Sequence, residues 1–191
     1  MKRKGFTIIE VVLVLAIAGL IFLMVFLALP ALQRSQRNEQ RRETLNKIYA
    51  LIPQYQKNNH GHTPFNATTG EFDTKFITNY VDSGCNNPRT ASDDEAGGAG
   101  YGGWVFSDCG SEFSDPDGTP YIVGHMKSTD STPDYHGVNH VIYFGAGMVC
   151  RGETNVSDDT SVDAAPNSFV VMMMLEGGAI YCVDNASSIR N

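Results

Sequence analysis

The sequence predicts an α+β fold, in which a long N-terminal α-helix packs on a C-terminal antiparallel β-sheet of about four strands. Residues 11–29 form an apolar run with no polar side chain, and residues 31–59 carry apolar side chains at helical spacing. Residues 121–191 contain short apolar segments bounded by turn residues, as strands do. A chain of 191 residues has room for one modest globular domain in addition to the helix.

The first element is the apolar helix. The run from Val11 to Leu29 is ~19 residues long, which is enough to cross a hydrocarbon core of ~30 Å. Lys2, Arg3 and Lys4 precede the run, and positive charge before a first span holds that end in the cytoplasm. Glu10 lies near the start of the span. From the residues alone, this carboxylate either marks a function or stays wet at the level of the lipid headgroups.

The residues around Glu10 resemble a known signal. The segment KGFTIIEVV, residues 4–12, is similar to the class III signal peptide of type IV prepilins and pseudopilins. The resemblance implies that residues 1–5 are a leader, which a prepilin peptidase removes by cutting between Gly5 and Phe6. It also implies that Phe6 is N-methylated and that Glu10 pairs with the N-terminal amine of a neighbouring subunit during assembly. Such a pair would specify the register of docking, since an unpaired buried charge is costly.

The rest of the helix divides at a proline. We assign residues 6–30 to a transmembrane and assembly helix and residues 31–59 to an amphipathic helix. Pro30 removes one backbone hydrogen bond, so we expect a kink there. Family helices often carry a proline slightly earlier than Pro30. The basic and polar side chains of residues 33–42 are expected to form a solvated face that also meets acidic surfaces of neighbouring subunits.

A connecting region and the sheet follow. Residues 60–120 are rich in Gly, Asn, Ser, Asp and Thr and predict an ordered connecting loop region. At its end, the sequence DPDGTPY, residues 115–121, predicts a turn and resembles a turn of major pseudopilins and some pilins. Residues 121–191 are assigned to the sheet head. The predicted strands are Tyr121–His125, His140–Met148, Ser168–Leu175 and Ala179–Val183.

The four cysteines lie in the C-terminal part, and none forms a CxxC pair. An even number after a membrane segment predicts disulfides in an oxidising compartment. Four cysteines allow three pairings. The resemblance implies a Cys150–Cys182 bridge, like the C-terminal disulfide loop of many pilins, with Cys85–Cys109 as the other pair.

The composition excludes several functions. The net charge is −7, and residues 59–191 hold five basic side chains against eighteen acidic ones, so nucleic-acid binding is expected only locally. The sequence has no GxSxG elbow, HExxH motif or P-loop, so we predict no enzyme, no cofactor and no metal. The weak candidates for a calcium site are the acidic loop residues Asp115, Asp117, Asp158, Asp159 and Asp163.

These observations predict a type IV pilus subunit that polymerises through its N-terminal helix into a surface filament for adhesion, twitching motility or DNA uptake. Its partners would be identical subunits, the prepilin peptidase, and inner-membrane assembly machinery with a separate cytoplasmic ATPase. Before assembly the subunit would be a single-pass protein in the lipid of the cytoplasmic membrane, and afterwards part of a cell-surface pilus. The alternatives are a pseudopilin of a type II secretion system and a membrane-anchored binding or enzymatic domain that never polymerises.

Overall fold

The structure is a computed structural model of the full chain. It divides into two compact units, Met1–Arg37 and Asn38–Asn191. The residues it describes are 5–65, 72–85, 88–91, 103–106, 109–110, 113–126, 140–146, 148–150, 161–163 and 168–185.

One helix, α1, runs from Ile8 to Asn58 and continues through Pro30 and Pro53. In the first unit, every large hydrophobic side chain from Phe6 to Leu32 is 46–87% exposed. In the second unit, α1 buries one stripe of side chains, which occur three or four residues apart as on one face of a helix. They are Arg41, Leu45, Ile48, Ile52 and Tyr55.

The helix ends in a left-handed turn. The Gly61 amide donates a hydrogen bond to the Gln56 carbonyl, and Gly61 has a φ of 84°. This arrangement satisfies one of the carbonyls that a helix end leaves without a partner. A short π-helical segment, Ile77–Val81, follows in the second unit and packs Ile77 into the core.

The strands form a six-stranded sheet with the order β1-β2-β3-β4-β7-β8 and a separate pair, β5-β6. Their bounds are β1 Arg89–Thr90, β2 Gly103–Val105, β3 Ile122–Met126, β4 Val141–Ala146, β5 Met148–Cys150, β6 Ser161–Asp163, β7 Phe169–Met174 and β8 Ile180–Asp184. The predicted α+β class is confirmed, and the predicted count of about four strands is wrong.

The sheet differs from the predicted one in two ways. First, β1 and β2 extend it into residues 60–120, where strands of two or three residues leave no alternating pattern to recognise. Second, β3 and β4 pair in parallel, with Ile122 opposite Val141, whereas every other pairing in the sheet is antiparallel. The sheet is therefore mixed, and its antiparallel part is the larger.

Both faces of the sheet are covered. Val171, Met173 and Leu175 join the core that α1 contributes to, whereas Val170, Met172 and Met174 join a second core on the opposite face. Because successive side chains of a strand point to opposite faces, a strand buried on both sides is apolar throughout. This explains why β7 reads as a continuous apolar run.

Candidate functional site

The candidate site at the N-terminus begins with residues outside the helix. Gly5, Phe6 and Thr7 precede α1, and Phe6 is 87% exposed. The peptide bond between Gly5 and Phe6, where the resemblance places cleavage, therefore lies two residues before the first helical residue, Ile8. A bond outside the helix can enter a protease without unwinding of α1.

Glu10 is held by Thr7. The Thr7 amide and the Thr7 hydroxyl both donate hydrogen bonds to Glu10 Oε2, at 2.8 and 2.7 Å. Thr7 occupies the position just before the helix and Glu10 the third helical position, which is the spacing of a capping box. The sequence signal for this contact is Thr-x-x-Glu before an apolar run.

The capping contact orients the carboxylate. Both Thr7 donors use the same oxygen, so Oε1 has no hydrogen-bond partner within the described residues. A carboxylate is also favoured at a helix N-terminus, where the helix dipole is positive. The arrangement leaves one exposed carboxylate oxygen, beside an exposed apolar helix, that can accept a hydrogen bond from a cation.

The helix that carries Glu10 has the composition of a membrane span. By its length and apolar composition alone, α1 could cross a membrane. Within it, Pro30 has no N–H to donate to the carbonyl of Phe26. The kink expected at Pro30 remains a prediction.

The second unit contains a buried charged cluster that the sequence did not reveal. The side chain of Arg41 is only 1% exposed. Its Nε and Nη2 donate to the two oxygens of Asp115 at 2.7 and 2.6 Å, and its Nη1 donates to Glu176 Oε1 at 2.9 Å. Asn38 completes the cluster. Its side chain accepts a hydrogen bond from the Glu176 amide and donates one to the Glu176 carbonyl.

The cluster, Asn38, Arg41, Asp115 and Glu176, joins α1 to two turns of the second unit. Asp115 begins the DPDG turn, in which the Gly118 amide donates to the Asp115 carbonyl at 2.8 Å. Glu176 begins the turn between β7 and β8. Burial by itself lowers the pKa of Arg41, but hydrogen bonds and charge from Asp115 and then Glu176 outweigh it and raise the pKa above its usual range.

This cluster changes two sequence-based interpretations. Arg41 belongs to the core of the second unit and not to a solvated basic face, and neighbouring Arg42 lies 4.8 Å from the ring centre of Tyr181. Asp115 was a weak calcium candidate, but both of its oxygens already bind Arg41.

The other calcium candidates offer no assembled site. Asp117 lies 4.0 Å from Arg41 and accepts hydrogen bonds from Thr119. Asp158 and Asp159 lie outside the described residues, and Asp163 is placed in β6 by its backbone. In the described part of the chain, no three His, Cys, Asp or Glu side chains form a group suited to a metal ion.

Two disulfides link the cysteines, Cys85–Cys109 and Cys150–Cys182. The second joins the end of β5 to β8, and the Cys150 amide donates to Asp184 Oδ2 at 2.6 Å. The expectation that the cysteines form disulfides is therefore supported. Each bridge closes a loop, which removes conformational freedom from the unfolded chain.

We predict that the same connectivity is present in the purified protein. Non-reducing peptide mapping should recover one peptide pair containing Cys150 and Cys182 and another containing Cys85 and Cys109. A reduced and alkylated sample is the control. Recovery of Cys150 with Cys85 or Cys109 would contradict the prediction.

Comparison with known proteins matched residues 1–26 to the prokaryotic N-terminal methylation motif. No curated protein and no solved structure matched the chain. The matched residues contain the exposed Gly5–Phe6 bond, the capped Glu10 and most of the apolar run. The N-terminal segment of this chain is thus the class III signal peptide of type IV pilins and pseudopilins, which implies processing by a prepilin peptidase and assembly into a pilus-type filament.

Proposed function

We propose that this chain is a structural subunit of a type IV pilus, which polymerises through its N-terminal helix and exposes its α+β head on the cell surface. The observation that carries the proposal is the capped, exposed Glu10 at the start of an apolar helix within the methylation motif. Outside a membrane, a helix with its large apolar side chains 46–87% exposed needs other apolar surface to cover it. Identical helices packed in a filament supply that surface.

Assembly would follow from cleavage. Cutting between Gly5 and Phe6 removes Lys2, Arg3 and Lys4 and creates a new amine at Phe6. This amine is one residue from Thr7, whose donors hold Glu10 Oε2 and leave Oε1 for the amine of the next subunit. Among packed apolar helices, a subunit docked in the wrong register would bury both charges unpaired.

The head suits an exposed fibre used in adhesion, twitching motility or DNA uptake. Its two disulfides would resist unfolding outside the cell, where no reductant protects thiols. Energy for extension and retraction would come from a separate cytoplasmic ATPase in the assembly machinery.

A second candidate is a pseudopilin of a type II secretion system. The DPDGTPY turn is compatible with it, since this turn is similar to one in major pseudopilins and some pilins. Both candidates use the same processing and the same Glu10 chemistry. Electron microscopy of cells with and without the gene separates them, because a pilus subunit is required for surface filaments and a pseudopilin for secretion.

Processing gives the direct test of the proposal. Intact-mass analysis of sheared filaments should find a chain that starts at N-methylated Phe6. Intact-mass analysis of the membrane fraction of cells lacking the prepilin peptidase is the control and should find residues 1–5 still attached. A mature filament chain that retains residues 1–5 contradicts the proposal and favours an anchored domain that never polymerises.

A further inference from the structure

A charged stripe runs along α1 opposite its buried face. Steps of three or four residues connect its members, which are all exposed: Glu39, Glu43, Lys47, Ala50, Gln54 and Lys57. Such steps place side chains on one face of a helix. The stripe therefore points away from the core that Leu45, Ile48 and Ile52 enter.

The charges in the stripe are ordered. The two acids come first and the two lysines last, so the stripe has no net charge but a negative and a positive end. Glu43 and Lys47 pair within the chain at 3.3 Å while remaining 65% and 70% exposed. Glu39 and Lys57, at the two ends, have no ion pair with another described residue. With a rise of 1.5 Å per residue, about 27 Å separates them along the helix.

The acids lie at one end of the stripe and the lysines at the other, so the stripe suits a partner that also carries both signs of charge in this order. An anionic lipid surface or a nucleic acid presents negative charge and would repel Glu39 and Glu43. A second copy of this chain, displaced along the helix axis, instead brings one copy's Glu39 beside the other copy's Lys57. All copies carry the same N-terminal membrane signal, so they share one orientation, and a parallel stagger is the arrangement available to them.

We propose that this stripe is a contact between copies of the chain, in which Glu39 of one copy meets Lys57 of another displaced by about 27 Å along the helix axis. The proposal rests on the proposed filament function and adds a residue pair and a displacement to it. The shallow groove beside the stripe, with a volume of about 390 Å³ and with Ile48, Leu51 and Val81 among its lining, adds apolar surface to the same contact.

Charge reversal tests the pair. Glu39→Lys or Lys57→Glu alone should lower the yield of sheared filaments by about fivefold, the ratio that corresponds to an exposed pair of about 1 kcal/mol. The double variant Glu39→Lys/Lys57→Glu should restore the yield to the wild-type level, because each repulsion becomes an attraction. Lys75→Glu, which reverses an exposed lysine outside α1, is the matched control and should leave the yield unchanged.

The outcomes separate the inference from the function on which it rests. Wild-type yield in both single variants, or no recovery in the double variant, overturns the stripe contact and leaves the filament function standing. Absence of filaments from the wild type overturns both. Levels of processed subunit in the membrane are measured in parallel to detect a folding defect.

A crosslink provides an independent readout if a charge reversal lowers the level of processed subunit in the membrane. In Glu39→Cys/Lys57→Cys filaments, a short bismaleimide cannot span the two positions within one chain and should produce a ladder of crosslinked subunits. A single monomer band would overturn the contact.

Discussion

Replacing Glu10 with alanine should abolish filaments while leaving normal amounts of processed subunit in the membrane. The helix keeps its apolar surface, so insertion is unaffected, but the Phe6 amine of each docked subunit would be buried without a counter-charge. An unpaired buried charge costs about 3–5 kcal/mol, enough to reduce assembly by more than a hundredfold at each addition. The measurement is the ratio of sheared filament to membrane-bound subunit, determined by immunoblot.

Two matched variants show whether the carboxylate or the helix cap is responsible. Glu10→Gln keeps a hydrogen-bond acceptor for Thr7 but removes the charge, and it should fail like Glu10→Ala. Thr7→Val removes the hydroxyl donor at 2.7 Å but keeps the amide donor at 2.8 Å, and it should retain partial assembly. Wild-type piliation in Glu10→Ala would show that the carboxylate has no part in docking.

Replacing Arg41 with methionine should destabilise the head by about 3–5 kcal/mol, because Asp115 loses its bidentate partner and Glu176 its ion pair. The cost is high because the Asp115 side chain is 0% exposed and water cannot replace the guanidinium. Urea unfolding of the processed chain in detergent, under non-reducing conditions, measures this loss. The single tryptophan, Trp104, lies in β2, so its fluorescence reports on the sheet.

Arg42→Met is the control for that experiment. Arg42 carries the same charge on the same helix, but its guanidinium lies over the ring of Tyr181 at a half-buried position. Because water can reach a half-buried guanidinium and its partners, the loss should be smaller than for Arg41→Met. Equal losses in the two variants would mean that the Arg41 cluster contributes no more than an ordinary surface contact.

The sequence was most informative where the signal is local. Gly5, Phe6 and Glu10 lie within six residues of each other, and their spacing together with the apolar run identified the signal peptide. The buried face of α1 was also accessible, because Leu45, Ile48 and Ile52 repeat at helical spacing whatever they pack against. In both cases the residues that determine the structure lie close together in the sequence.

The sequence was least informative where burial or strand pairing depends on residues that are far apart in the chain. Arg41 lies one turn before Leu45 on the same face, but a charged side chain at that position is ordinarily solvated. Its burial depends on Asp115 and Glu176, which are 74 and 135 residues away. The parallel pairing of β3 with β4 likewise depends on the path of the chain between them and not on the residues of either strand.

The burial of β7 on both faces limits which positions of this protein tolerate amino-acid substitution. A strand with no exposed side chain admits few substitutions, since each must preserve the volume of one of two cores. Substitutions among related subunits should therefore accumulate in the loops, and the sheet should change slowly. If selection favours a new surface on this protein, the changes are therefore expected in its loops and not in its sheet.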